Sequence, residues 1–381
     1  MQVTTISLGD VDYPFRLGTD CMDRIIEHIA ALLPSRVLLM ADTTVTELYG
    51  HDLAARLDRA AAPTHLLTHP CGEAGKNLTT LTALAEQALR YGLDRRSVVV
   101  ALGGGVTGNM AGLLAALMFR GLRLVQVPTT VVAMLDSVLS LKQTVNAGVG
   151  KNLIGTFYAP VEVLADTALL RTLPAREVRS GAAEVVKNAL AIRPAMIDYL
   201  ADNLRPDGRY PDEVMAWLIG ESIAAKAQVT VADKFERGTG LVLEYGHTIG
   251  HAIEHAAAGT VAHGAGVALG MLAAAGISRD LGGAGDDLVD LHHDLIGRIG
   301  VPTTITSDVD IANVKRWLRF DNKRGYLSLA ADTCAMVLLS APGKPLWTEG
   351  HPLTEVPVGL ADAAVDGIAS RTATPASAAG V

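Results

Sequence analysis

The sequence predicts an α/β region followed by a mostly helical region, and three observations carry that expectation. Short β-branched runs alternate with helix-length segments up to about Thr172, a glycine-rich turn closes one of those runs, and helical periodicity takes over beyond it. Residues 36–40, 64–67, 97–102 and 123–127 read as strands, with 79–91 and 107–119 as helices between them. Such alternation with short connections predicts a parallel sheet covered by helices. In the second half, 178–188, 211–231, 247–257 and 264–281 carry helical spacing. From Ala361 the chain is rich in Ala, Ser and Thr, which predicts a frayed or disordered tail over 361–381. No internal repeat is visible.

With 381 residues, 49% of them hydrophobic, the chain can bury a sizeable core in one or two domains. A net charge of −8 and the lack of a Lys/Arg stripe argue against a nucleic-acid partner. Cys21, Cys71 and Cys334 are scattered and odd in number, as expected of reduced thiols. The start, Met1-Gln2-Val3-Thr4-Thr5, lacks a basic region and an apolar core, and the longest apolar runs are too short to span a bilayer. A soluble, cytoplasmic protein with no membrane partner is expected.

The run 97–102 leads into Gly103-Gly104-Gly105-Val106-Thr107-Gly108-Asn109, which matches GxGxxG through Gly103, Gly105 and Gly108. Glycines there let backbone N–H groups approach a pyrophosphate at the start of a helix. Alone the motif is weak, and a tight turn without a ligand is the bland alternative. The βαβ context strengthens it, as do the hydroxyls of Thr129 and Thr130 after the next strand. Asp42 ends an earlier strand and is placed for ribose hydroxyls. The turn Gly72-Glu73-Ala74-Gly75-Lys76 could reach the adenosine side.

His247, His251 and His255 recur every four residues and so share one helical face. No Glu directly follows His247, so the general base of a zincin peptidase is missing. His255 reads as a capping or core residue. Glu184 with His247 and His263 suits zinc or a similar divalent ion in a catalytic site with an open position. Lys142, Lys151, Lys187, Lys226 and Lys323 supply cations; Lys142 and Lys187 stand in apolar stretches where an unused charge would be costly.

The segments 103–109, 128–130, Asp136 with Lys142, Lys151-Asn152, Glu184 with Lys187, 244–251, His263 and Asp321-Asn322-Lys323 together resemble the sugar-phosphate cyclases, whose best-known member is 3-dehydroquinate synthase. The resemblance runs from about residue 36 to about residue 345. It implies an N-terminal Rossmann-like NAD domain over 1–172, a C-terminal α-helical metal- and substrate-binding domain over 173–360, and an active site in the cleft between them. It adds Ser140, Leu141, Lys142, Lys151 and Asn152 to the NAD contacts. It implies metal ligation by Glu184, His247 and His263, with zinc or cobalt as the ion, and catalysis by Lys142 and Glu244. Lys187, Lys323 and His251 would hold a substrate phosphate, and Arg120 would reach it from the partner subunit of a homodimer.

Departures from 3-dehydroquinate synthase narrow the substrate. That enzyme has Asn-Phe-Gly-His where this chain has Glu244-Tyr245-Gly246-His247, Asp in place of Asn109, and Gly-Gly-Lys-Thr in place of Ser140-Leu141-Lys142-Gln143. Its carboxylate-gripping arginine corresponds to Gly240. Together with Asp321-Asn322-Lys323-Arg324-Gly325-Tyr326, these resemble the branch that cyclises glucose 6-phosphate toward aminoglycoside antibiotics, a substrate without a carboxylate. The implied chemistry is transient C4 oxidation by NAD, phosphate elimination, return of the hydride and aldol closure. Competing readings are another cyclase acting on sedoheptulose 7-phosphate or a divergent dehydroquinate synthase, a metal-dependent alcohol dehydrogenase, and a silent NAD-binding protein.

Overall fold

The computed structural model describes residues 1–148, 150–319, 323 and 325–369. They gather into two compact units, Met1–Gly181 with Tyr210–Phe235, and Ala182–Arg209 with the chain from Glu236 onward. The expected Asp321, Asn322 and Arg324 motif positions lie outside the described residues, as do residues 370–381 of the expected tail.

The first unit holds β1 (Gln2–Leu8), β2 (Val11–Gly18), β3 (Val37–Asp42), β4 (Thr64–His69), β5 (Val98–Gly103), β6 (Arg123–Pro128), the hairpin β7 (Lys142–Ala147) and β8 (Gly150–Phe157), and β9 (Glu162–Asp166). Seven of these form one sheet in the order β1-β2-β9-β6-β5-β3-β4. Every neighbouring pair in it is parallel except β1 with β2. The central strands β3 and β5 are almost continuously apolar because both of their faces are covered. Along β3, Leu38 and Met40 enter one core with Leu81 and Met110, while Val37, Leu39 and Ala41 enter the other with Ile25 and Leu57. Each fully buried Leu or Val contributes roughly 1.5–3 kcal/mol. The chain leaves β3 toward β4 but crosses back to β5, so the carboxyl ends of β3 and β5 flank a topological switch point, where open α/β sheets bind ligands.

The four strands read from the sequence are β3, β4, β5 and β6, each displaced by no more than a residue or two at its ends. The helix read at 211–231 is Asp212–Thr230, and it belongs to the first unit, where it packs on β1 and on the helix Val131–Leu135. Its Lys226 Nζ lies 2.7 Å from Asp136 Oδ1 and 3.1 Å from the Asp136 carbonyl. Periodicity identifies a helix but not the core that it joins.

In the second unit the helices His247–Ala256 and His263–Asp280 pack backbone to backbone. A Cβ on Gly270 would stand 1.9 Å from the Gly246 carbonyl oxygen, so no larger residue fits. The same unit holds most of the helix Ala175–Ala191, which carries Glu184, the helices Ile197–Asn203, Asp286–Ile299, Ile311–Leu318 and Val358–Ile368, and two small antiparallel ribbons. The helix Val358–Ile368 corrects the expectation of a disordered tail from 361: Ala361 and Val365 are fully buried, which small-residue composition hid. Among the described residues no helix is long and apolar enough to cross a membrane.

Candidate nucleotide and metal sites

β5 ends at Gly103 and the helix Gly105–Leu117 begins two residues later with no side-chain cap on its N-terminus. A Cβ on Gly103 would stand 2.5 Å from Thr107 Oγ1, so this glycine is required by packing. Gly105 differs, because its Cβ would meet only ordinary contacts, the nearest at 3.5 Å. It is half-buried at the start of the helix, where backbone N–H groups can approach an anion. A pyrophosphate therefore fits this turn.

The predicted side chains around it divide in two. Some are committed to the protein: Asp42 Oδ1 accepts from Val45 N at 2.9 Å, and Thr130 Oγ1 accepts from Ala133 N at 3.1 Å. Thr107 donates to the buried His69 Nε2 at 3.0 Å, while Leu141 and Thr129 are buried and Val106 packs against the core. Of these, Thr107 can offer a ligand only its backbone. Gly108 presses on Gln126, where a Cβ would stand 3.0 Å from Oε1.

Others form one polar cluster. Lys76 Nζ, buried, lies 2.5 Å from Asn152 Oδ1; with the Asn109 amide turned to satisfy both of its neighbours, Lys76 Nζ also lies 2.9 Å from its oxygen and its nitrogen donates to the Lys142 carbonyl at 3.0 Å. Glu73 Oε1 accepts from Asn146 Nδ2 at 2.9 Å, and Asn152 takes a left-handed φ of 58° with its N–H donating to Asn146 Oδ1. Burial lowers the Lys76 pKa, opposed by Glu73. Ser140 Oγ accepts from Lys142 N at 3.1 Å, Gly75 is buried beside the cluster, and Ala74 is exposed with its carbonyl accepting from Asn77. Lys151 is half-buried next to Asn152. Asn146, His69 and Thr144, whose hydroxyl donates to Asn152 Oδ1 at 2.9 Å, belong to no motif and are not legible in the sequence. Arg120 stands elsewhere, exposed on a turn where Phe119, Arg120 and Gly121 have φ of 52°, 66° and 129°.

In the second unit the ring nitrogens of His247, His251 and His263 offer ligand atoms within 4.8 Å of one another. Glu184 Oε1 lies 3.8 Å from His247 Nε2 and 3.5 Å from His263 Nε2. Two overlapping ligand sets can thus be drawn, and both contain His247 and His263. Glu184 is the better third member, because it faces the same nitrogen of each and is almost fully buried. The opposite ring nitrogens are held: His247 Nδ1 donates to the Tyr245 carbonyl at 3.1 Å and His263 Nδ1 to Glu254 Oε2 at 3.1 Å. Such partners fix the tautomer that leaves Nε2 for a metal. Glu254 was missed, although it follows His251 by three residues on the same helix face.

The charges around this cluster are of the kind that favour a cation. Burial alone would lower the His263 pKa, yet the Glu184 and Glu254 carboxylates raise it to about 10. Burial would likewise raise Glu184, but Lys187, with Nζ 2.6 Å from Oε2, and the two imidazoles hold it well below the usual carboxylate range. His251, half-buried beside His247, is pushed down to about 3 by desolvation and by the neighbouring imidazole. Lys323 Nζ lies 3.6 Å from Glu244 Oε2. A divalent ion fits this donor set, replacing the proton on His263. His255 stands apart, stacked on Trp317 with ring centroids 4.6 Å apart, in keeping with its structural reading.

Models of the 3-dehydroquinate synthase N-terminal and C-terminal parts match residues 66–180 and 181–324, and the chain belongs to that family. Within it, the similarity over nearly the whole chain is to the 2-deoxy-scyllo-inosose synthases. That of Streptoalloteichus tenebrarius is 65% identical, over 96% of this chain and 95% of its own. That of Streptomyces kanamyceticus is 64% identical, over 97% and 95%. Among solved structures, a 2-deoxy-scyllo-inosose synthase complexed with carbaglucose-6-phosphate, NAD+ and Co2+ superposes with a TM-score of 0.89 at 36% identity, covering 96% of this chain and 99% of that one. A 2-epi-5-epi-valiolone synthase from Streptomyces hygroscopicus with NAD+ and Zn2+ bound reaches 0.81 at 24% identity, over 97% and 99%, a likeness of fold.

Proposed function

We propose that this chain is a lyase that converts D-glucose 6-phosphate to 2-deoxy-scyllo-inosose and inorganic phosphate, a step in 2-deoxystreptamine aminoglycoside biosynthesis. The observation that carries the reading is the substitution of the carboxylate-gripping arginine by Gly240, with Glu244 facing Lys323 beside the Glu184, His247 and His263 cluster. Bound NAD supplies a temporary acceptor for the C4 hydride, and a bound zinc or cobalt ion supplies Lewis acidity at the C4 oxygen.

Residues 1–172 serve NAD and residues 173–360 serve metal and substrate. Asp42, the turn 73–76, the glycine turn 105–109, Thr129, Thr130, 140–142, Lys151 and Asn152 hold the dinucleotide. Glu184, His247 and His263 hold the metal. Lys142 assists proton transfer at the C4 hydroxyl, which makes the C5 hydrogen acidic once C4 is a ketone. Glu244 acts as acid or base as phosphate leaves C6. Lys187, Lys323 and His251 hold that phosphate, with Arg120 of the partner subunit in a homodimer. After the hydride returns to C4, the ring opens and the C6 enol attacks C1. The cytoplasm, where sugar phosphate and NAD are available, is the proposed location.

Incubation with glucose 6-phosphate, metal and a catalytic amount of NAD tests this. The expected result is one phosphate per carbocycle and no net NADH. NADH accumulating in step with substrate loss would instead make the chain a dehydrogenase.

A further inference from the structure

The turn that carries Glu244 and His247 is anchored by a residue to which the proposed chemistry gives no role. Tyr245, between them, is fully buried, and its hydroxyl lies 2.7 Å from Nε2 of His292, also fully buried. His292 Nδ1–H donates to the Leu288 carbonyl one turn earlier in the helix Asp286–Ile299, at 2.7 Å, so its Nε2 is the acceptor and the tyrosine the donor. The Tyr245 backbone is engaged as well. Its N–H donates to the Val242 carbonyl at 3.1 Å, and its carbonyl accepts from His247 Nδ1 at 3.1 Å.

The next residue, Gly246, has φ 77°, and a Cβ there would stand 2.7 Å from Met271 and 2.8 Å from the Val267 carbonyl. Gly246 thus presses the turn onto the helix His263–Asp280, which carries His263 at its first position. That helix also packs against the helix bearing His292. One side of the turn is held by steric contact. The other side carries the directional Tyr245 to His292 hydrogen bond.

We infer that Tyr245 and His292 form a buried positioning pair that fixes the carbonyl to which His247 Nδ1 donates, and so aims His247 Nε2 at the metal position. The inference rests on the reading of His247 as a ligand. Removing the tyrosine hydroxyl leaves the ring packed in place but removes its directional tie to His292, so the carbonyl behind it is fixed less tightly. Partners of this kind are worth on the order of ten- to a hundredfold in metal affinity.

The test is cobalt titration of the metal-stripped full chain, read by the Co2+ absorption spectrum and by affinity, with thermal unfolding and NAD binding in parallel. Tyr245→Phe should weaken Co2+ binding by about tenfold or more and alter the spectrum, while NAD affinity is unchanged. Because Tyr245→Phe strands a buried His292 nitrogen, Tyr245→Phe with His292→Leu provides the second variant; it should recover stability without recovering Co2+ affinity. If affinity returns together with stability, or if Tyr245→Phe binds Co2+ within twofold of the original, the pair is merely structural and the inference fails. His247→Ala separates the two levels. Undiminished Co2+ binding by that variant would overturn the ligand reading itself, whereas loss of metal in His247→Ala with none in Tyr245→Phe would overturn only the positioning role.

Discussion

His263 is held from both sides: its Nδ1 lies 3.1 Å from Glu254 Oε2, and its Nε2 lies 3.5 Å from Glu184 Oε1. The first carboxylate orients the ring that the second shares, an arrangement that raises the basicity of a metal-binding imidazole. Glu254→Gln keeps the size and an acceptor but removes the charge. Metal affinity is expected to fall about tenfold with little change in thermal stability, measured by competition against a chelator. An unchanged affinity would show that Glu254 only balances surface charge.

The two helices that carry the histidines meet where glycine is obligatory. Gly270→Ala forces a Cβ to within 1.9 Å of the Gly246 carbonyl oxygen, so the turn before His247 must move. Overpacking of this kind costs about 1–3 kcal/mol. The expected variant unfolds at lower temperature and is purified with less metal; a metal content equal to the original would contradict the tight coupling of turn and helix.

Much of this was legible in the sequence. The almost continuous apolar runs of β3 and β5 report strands buried on both faces, and the GxGxxG turn lies at the switch point between them. His247, His263 and Glu184 come together as their types suggest, while His255 of the same row does not join them. What was hidden follows a pattern. β1 is exposed over most of its length, and the β7 and β8 hairpin leaves nearly all of β8 exposed, so neither shows the apolar signature of a core strand. Glu254 looks like a solvated helix charge until His263 is folded next to it. Tyr245 reads as an aromatic core residue, because one sequence cannot reveal that His292 meets its hydroxyl from 47 positions away.

Acid should weaken the fold through His292. Burial pushes its pKa down to about 4, against about 6.5 in an unfolded chain. As pH falls below about 6.5 the unfolded chain takes up a proton that the folded one refuses, so stability is fully present above that value and is lost progressively toward pH 4. The loss is on the order of 3 kcal/mol at most. His69, whose pKa burial also lowers, adds to it with the same sign. Unfolding midpoints followed between about pH 7 and about pH 5 should drop less steeply for His292→Leu. Parallel slopes would place the acid sensitivity elsewhere.

Substrate choice should follow from the turn before His247. Gly240 lies buried in the short helix Thr239–Glu244, so no cation of its own reaches out to meet a substrate carboxylate from that position. Glu244, three residues before His247, brings a negative charge that Lys323 partly offsets from 3.6 Å. A carboxylate-bearing sugar phosphate would meet that charge without a clamp, a mismatch worth on the order of a thousandfold in discrimination. The precursor of dehydroquinate, 3-deoxy-arabino-heptulosonate 7-phosphate, should therefore be turned over poorly or not at all. Glu244→Gln should slow turnover of glucose 6-phosphate by about a hundredfold, as expected for loss of a general acid or base, with NAD affinity unchanged. Steady-state kinetics on both sugars decide it: comparable kcat/KM for the carboxylate-bearing substrate, or an undiminished Glu244→Gln enzyme, would refute this account of specificity.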